Sequence, residues 1–314
     1  MFEGIKKILY GIDESVVKDF FQVDELDNFF FKFKSVFAIG DLHGDYDNTV
    51  RILTHQQIID KDLNWNVKDS ILVQTGDIVD RGPGTILLYK LFQTLSKQAQ
   101  LHGGRVVSLL GNHEVMNMMG DLRYVDPGDM QSFGGADKRK REWSKSGNLG
   151  KYLRKLNITE IVGDSVFVHG GINLQYAKIG VDNINKISRD FLNLDFIPMN
   201  EILIHPDCPL WYRTYATEPE SKACMILRDT LDVLGVKRMI IGHTPQESGK
   251  ILSRCNMSLK NDKDTFQPRL YVIDLAISKA YGALGQGLLE IKYGENFNNV
   301  SIKGLYFNEI VNFV

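Results

Sequence analysis

A carboxylate and an imidazole stand two residues apart at Asp41 and His43, in Gly40-Asp41-Leu42-His43-Gly44-Asp45, where the apolar run Ser35 to Ile39 stops. The run is β-branched and aromatic and predicts a buried strand, and side chains at i and i+2 leave a strand on one face. Asp41 and His43 are therefore expected to point together, as two ligands of one cation would. Gly40 and Gly44 permit the tight turn and close backbone approach such a site needs. The construction recurs down the chain. Ser70 to Thr75 runs into Gly76-Asp77-Ile78-Val79-Asp80-Arg81-Gly82, and Arg105 to Leu110 into Gly111-Asn112-His113-Glu114. Ser165 to Val168 ends in His169-Gly170-Gly171, and Arg238 to Ile241 in Gly242-His243-Thr244. Four of the seven histidines stand at these exits, and in an open α/β sheet the crevice beyond the strand ends is where ligands bind.

The candidate metal ligands are Asp41, His43, Asp77, Asn112, His169 and His243. If Asp77 is shared they divide into two sets, Asp41 and His43 completing one and Asn112, His169 and His243 the other. Two metal ions per chain are expected, because paired cations activate water and clamp a phosphoryl oxygen in line with its leaving group. Imidazole and carboxylate without thiolate suit manganese, iron or zinc rather than a lone magnesium, with manganese the ion expected in vitro. Two divalent cations against two carboxylates and one hydroxide leave about one positive charge, which suits a phosphate dianion. Arg81, in the Asp77 loop, adds a planar fork that matches phosphate oxygens, with Arg213 a second and Asn112 a further substrate contact. His113 follows Asn112 directly and belongs at the rim, where a protonated imidazole could donate to the leaving oxygen. Asp80 is the carboxylate to orient it and keep it charged. The predicted reaction is attack by hydroxide held on the metal pair, with His113 and Asp80 as an acid dyad and no covalent phosphoenzyme. Glu114 is expected to support its turn, and His55, His102 and His205 have no strand-exit context.

The elements that must position these groups are legible from periodicity. Asp45 to Ile59 and Gly84 to Gln98 read as helices, giving βαβαβ with right-handed crossovers and placing Asp41, Asp77 and Asn112 at one sheet edge. Upstream, Ile5 to Asp27 predicts a pair of short helices and Phe29 to Phe33 an edge strand. Downstream, Leu270 to Asp274, Gly287 to Ile291 and Val300 to Leu305 read as strands of a second sheet. Two insertion-like stretches, about 120–160 and 173–234, are expected to form a helical cap that sets substrate choice. The run Lys138-Arg139-Lys140-Arg141 in the first reads as a solvated helix face. Residues 1–314 are expected to form a single catalytic domain.

Composition bounds the rest. Apolar content of 43%, charged content of 24% and a net charge of -2 argue against nucleic acid or anionic membrane as partner. Cys208, Cys224 and Cys255 are scattered and read as buried reduced thiols rather than a disulfide. Met1 to Ile12 lacks the apolar core of a signal peptide, and no segment approaches the roughly 20 apolar residues of a membrane span, so a cytoplasmic location is expected.

Taken in order, Gly40 to Gly44 (GDLHG), Gly76 to Gly82 (GDIVDRG), Gly111 to Glu114 (GNHE), His169-Gly170-Gly171 and Gly242-His243-Thr244 resemble the phosphoprotein phosphatase branch of the calcineurin-like metallophosphoesterases. Gly111 to Val125, Pro209 to Arg213 and Ile273 to Ala283 look most like the Shewanella-like protein phosphatase subgroup. That resemblance implies an α/β fold, an αββα sandwich of two mixed sheets, with hydrolysis of phosphorylated Ser, Thr or Tyr in proteins. It also makes Arg123 and Tyr281 expected substrate contacts. Val115-Met116 depart from the mainstream serine/threonine enzymes, and a counterpart of their toxin-binding loop is missing. Two rival readings stand beside this one. A hydrolase of dinucleotide polyphosphates or small phosphoesters shares GDxHG and GNHE, but Asp80 and the long cap favour a phosphoprotein. An inactive scaffold conflicts with the complete ligand set. Regulatory subunits are not legible in the sequence.

Overall fold

A computed structural model describes residues 33–195, 201–260, 262–294 and 299–313. The helix pair expected for Ile5 to Asp27 and the strand expected for Phe29 to Phe33 fall outside these residues, Phe33 apart. The first apolar runs form β1 (Ser35–Ile39), β2 (Ser70–Gln74) and β3 (Arg105–Ser108), paired in parallel in the order β1-β2-β3. Their crossovers are α1 (Tyr46–His55) and α2 (Thr85–Leu101). Asp45 caps α1 by accepting from the Asn48 N–H (3.0 Å), so the last residue of the GDLHGD stretch starts the helix. The helix stops at His55 rather than Ile59, because Gln57 turns left-handed (φ 57°) and the Ile58 N–H bonds back to the Leu53 carbonyl (3.0 Å). Ile58 and Ile59 still reach the core, but from a turn.

The second sheet has the order β4-β5-β6-β10-β7, from β4 (Thr159–Val162), β5 (Ser165–Val168), β6 (Arg238–Ile241), β7 (Leu252–Arg254) and β10 (Leu270–Val272). Within it, β5, β6 and β10 run parallel. A hairpin of β8 (Met257–Leu259) and β9 (Asp262–Gln267) precedes β10. The expectation that all three late segments join a second sheet needs correction. Only β10 does so. β11 (Gly287–Tyr293), β12 (Val300–Tyr306) and β13 (Ile310–Phe313) return to the first sheet, with β11 antiparallel to β1 from Val36 opposite Ile291. Alternation of apolar residues specifies a half-buried strand but not its partner, and the edge of β1 left open by the parallel order is what β11 fills.

The two mixed sheets form the middle layers of an αββα sandwich flanked by helices, as the resemblance implies, with one continuous apolar core. Between β3 and β4 lie α3 (Asn112–Met118), α4 (Pro127–Ser132), α5 (Ala136–Trp143) and α6 (Asn148–Leu153). Between β5 and β6 lie α7 (Leu174–Ile179), α8 (Val181–Leu192), α9 (Glu201–Ile204), α10 (Thr214–Thr217) and α11 (Glu220–Leu234). Two sequence expectations fail here. Arg139, inside the basic run, is buried: its Nε donates to Asp129 Oδ2 (2.9 Å), and its guanidinium lies over the Trp143 ring (4.8 Å). The run is thus three exposed cations around one anchor. Cys224 and Cys255 form a disulfide between α11 and the turn after β7, while Cys208 remains a buried thiol whose pKa desolvation pushes up to about 12. Even scattering along the sequence does not forbid pairing when a helix and a turn meet in space. No helix among the described residues is long and apolar enough to cross a membrane.

Candidate active site

Six parallel strands, three from each sheet, end at one seam, and each is followed within four residues by a polar side chain. β1, β2 and β3 deliver Asp41, Asp77 and Asn112, and β5, β6 and β10 deliver His169, His243 and Asp274. All six, with His43, Asp80 and His113, are at most 6% exposed. The chain reaches this density by bending sharply at the exits: His43, Asp77, Asp80, Arg81 and His243 all have left-handed backbones, with φ of 43°, 55°, 69°, 64° and 66°. Such conformations cost about 1–3 kcal/mol each in non-glycine residues and persist where a site needs them. Close approach adds a second constraint. A Cβ on Gly111 would stand 2.1 Å from Asp77 Oδ1, and one on Gly242 2.3 Å from Asp41 Oδ1. Buried Gln74 ties two exits together, donating to the Gly40 (3.2 Å) and Gly76 (2.6 Å) carbonyls.

Asp77 is the centre. Its Oδ2 lies 3.3 Å from His169 Nε2, 3.8 Å from His43 Nε2 and 3.8 Å from His113 Nε2. Two groups suited to a cation share it, one of His43, Asp77 and His113 and one of Asp77, His169 and His243. Asp41 borders the first, with Oδ2 3.9 Å from His43 Nε2, and accepts from the His243 N–H (3.1 Å). Asn112 borders the second, with Oδ1 2.8 Å from His169 Nε2. The six residues named as ligands from the sequence therefore lie together at one seam around Asp77, with His113 rather than Asp41 completing the first group and Asn112 beside the second. Asp274, which the sequence reading left within a strand, belongs there too; an acidic residue just beyond the apolar run Leu270 to Ile273 is the signal that marks it.

The protonation pattern tests whether cations fit. His43 Nδ1 faces the Val79 carbonyl (3.1 Å) and His169 Nδ1 the Thr75 carbonyl (3.0 Å), so each ring carries its proton on Nδ1 and turns an Nε2 lone pair to the seam. His169 Nε2 then meets Asn112 Oδ1, Asp77 Oδ2 and, at 3.1 Å, His243 Nδ1. His243 Nε2 is buried without a hydrogen-bond partner among the described residues. Burial also lowers the His43 pKa to about 3 and that of His243 well below the usual value, so neither ring supplies a charge at neutral pH. Burial and the neighbouring Asp274 and Asp77 push Asp41 up, and burial pushes Asp274 up to about 6. Lone pairs and carboxylates facing one another across a buried seam are a cation's donor set. The residues fit the group.

The remaining expected residues surround this centre. His113 Nδ1 lies 2.7 Å from Asp80 Oδ2, and Asn117, one helical turn on, donates to Asp80 Oδ1 (2.9 Å). Burial opposes charging His113, but the Asp77 and Asp80 carboxylates outweigh it and its pKa rises. Asn117 was not foreseen; its i+4 spacing from His113 on α3 was the available signal. Glu114 accepts from the N–H groups of Gly111 (2.7 Å), Asp77 (2.9 Å) and Ile78 (2.8 Å), binding two exits together. Arg81 presents its guanidinium to the Tyr124 and Tyr281 rings, at 4.6 and 4.9 Å. Arg213 donates to the His243 carbonyl (2.6 Å), which places it at the rim. Arg123 forms an exposed ion pair with Asp121 (2.7 Å).

A two-sheet sandwich whose parallel strands bring aspartates, histidines and an asparagine to a common seam defines a metal-dependent phosphoesterase. The description calcineurin-like phosphoesterase matches residues 34–247, and the chain belongs to this family, whose members use a dinuclear metal centre. An uncharacterized protein of Schizosaccharomyces pombe is 35% identical over 88% of this chain and 82% of its own length. Shewanella-like protein phosphatase 1 of Plasmodium berghei is 32% identical over 70% of this chain and 64% of its own. Among solved structures, the cold-active protein-tyrosine phosphatase of a psychrophilic Shewanella superposes with a TM-score of 0.72 at 26% identity, over 90% of this chain and 81% of that one. The similarity to Shewanella-like protein phosphatases read from the motifs is thereby borne out.

Proposed function

We propose that the chain is a phosphoprotein phosphatase that hydrolyses phosphorylated Ser, Thr or Tyr side chains, with His113 as general acid. The observation that supports this most directly is the His113–Asp80 pair beside two cation-suited groups that share Asp77. Asp41, His43 and Asp77 would hold one divalent cation, and Asp77, Asn112, His169 and His243 the other. Bound there, the pair supplies Lewis acidity toward the phosphoryl group and activation of solvent. The chain's own groups do the rest. Arg81, Arg213 and Asn112 bind the phosphoryl oxygens and hold phosphorus in line. His113 donates its Nε2 proton to the departing oxygen, while Nδ1 keeps its own proton and donates it in a hydrogen bond to the Asp80 carboxylate, which fixes the ring and stabilises its charge. The helical insertions around 120–160 and 173–234, which carry Tyr124 and Arg213, act as the cap that selects a polypeptide substrate. Manganese, iron and zinc all suit the donor set.

The reading is tested by comparing kcat/KM on phosphoserine, phosphothreonine and phosphotyrosine peptides with that on diadenosine tetraphosphate. Faster turnover of a phosphopeptide is expected; faster nucleotide cleavage would reverse the substrate class.

A further inference from the structure

Among the described residues Arg81 forms no ion pair with a carboxylate, and its buried Nε has no hydrogen-bond partner. What meets it are two aromatic faces, Tyr124 at 4.6 Å and Tyr281 at 4.9 Å from Cζ. A guanidinium covered on its faces keeps its N–H edge available, and a planar cation over a phenol ring is attracted to it without being neutralised. An acidic partner would hold the same side chain but cancel the charge a phosphoryl group needs.

Tyr124 through its own backbone and Tyr281 through its turn are fixed to the loops they serve. The Arg81 N–H donates to the Tyr124 carbonyl (2.8 Å), joining the loop after α3 to the β2 exit. Tyr281 ends a short 3₁₀ turn, Lys279–Tyr281, whose Lys279 N–H donates to Asp45 Oδ2 (2.7 Å). Ser278, which caps that turn, donates its Oγ–H to the His43 carbonyl (3.2 Å). The rings also lie against the site itself, Tyr281 5.2 Å from the His43 ring and Tyr124 5.0 Å from that of His113. We propose that Tyr124 and Tyr281 are positioning residues that stack on Arg81 and hold its guanidinium edge toward the substrate phosphoryl group. This rests on the reading of Arg81 as a phosphoryl contact.

The test uses the full chain with manganese and reads KM and kcat on a phosphopeptide, together with the Kd for orthophosphate by calorimetry. Tyr124→Leu and Tyr281→Leu remove the ring face but keep apolar volume, and Tyr124 is 37% exposed. Each is expected to raise KM and the phosphate Kd about three- to tenfold with kcat changed less than about twofold. The Phe variants, which keep the face, are expected to shift neither constant more than about twofold. In an Arg81→Ala chain the Leu substitutions are expected to add nothing. Leu effects that multiply the Arg81→Ala defect, or that fall on kcat at unchanged KM, would overturn the positioning role. If Arg81→Ala itself left KM and Kd unchanged, the phosphoryl assignment of Arg81 would be the statement that fails.

Discussion

His113 Nδ1 lies 2.7 Å from Asp80 Oδ2, with both side chains buried and the other ring nitrogen turned toward the Asp77 carboxylate. A ring anchored by one nitrogen has only the other with which to meet a substrate. The His113→Asn variant is therefore expected to lose about 10²–10⁴-fold in kcat on a phosphoserine peptide, and Asp80→Asn less. The loss should be much smaller with para-nitrophenyl phosphate, whose leaving group departs without protonation. Steady-state kinetics on both substrates checks this, and equal losses on the two would contradict the acid role.

Neutral imidazoles and buried carboxylates that face one another are stabilised by the cations they would bind. Removing metal with a chelator is expected to abolish turnover and to lower Tm. At a free manganese concentration about 100-fold above Kd, linkage gives about 2.7 kcal/mol, or roughly 5 °C for a chain of this size. Differential scanning calorimetry with and without manganese measures the difference, and an unchanged Tm would count against the site.

Arg139 and Asp129 form a buried pair, with neither more than 2% exposed. Arg139→Gln strands the Asp129 carboxylate in the core and is expected to cost about 3–5 kcal/mol. Adding Asp129→Asn should recover part of the loss, because the orphaned charge is gone. Urea unfolding of the parent and the two variants tests the order.

The Cys224–Cys255 bridge spans 31 residues of sequence and ties α11 to the turn after β7. Chain-entropy reasoning for a loop of that length gives about 3.5 kcal/mol. The double serine variant, and the parent under dithiothreitol, are expected to unfold at correspondingly lower urea. An unchanged midpoint under reduction would show the bond to be absent in solution.

The strand exits could be read from the sequence because each couples a short apolar run to glycine and a side chain suited to binding a metal, a local pattern that needs no knowledge of partners. Asp41, His43, Asp77, Asn112, His169 and His243 were all legible in this way, and the structure brings them to one seam. What escaped depends on tertiary pairing. Nothing local tells β11 and β12 to return to the sheet of β1, nor Cys224 to meet Cys255, nor Arg139 to turn inward while Lys138 and Lys140 face water. Tyr124 escaped for the same reason: an aromatic residue in a polar loop has no periodicity to mark it, and only its stacking on Arg81 shows where it belongs.

The central claim is that Asp77 is shared between two cations. Crystals of the manganese-loaded chain, measured on either side of the manganese edge, would show it in an anomalous difference map. Two peaks are expected, both within coordination distance of the Asp77 carboxylate, one toward His43 and Asp41 and one toward Asn112, His169 and His243. A single peak, or two of which neither touches Asp77, would contradict it.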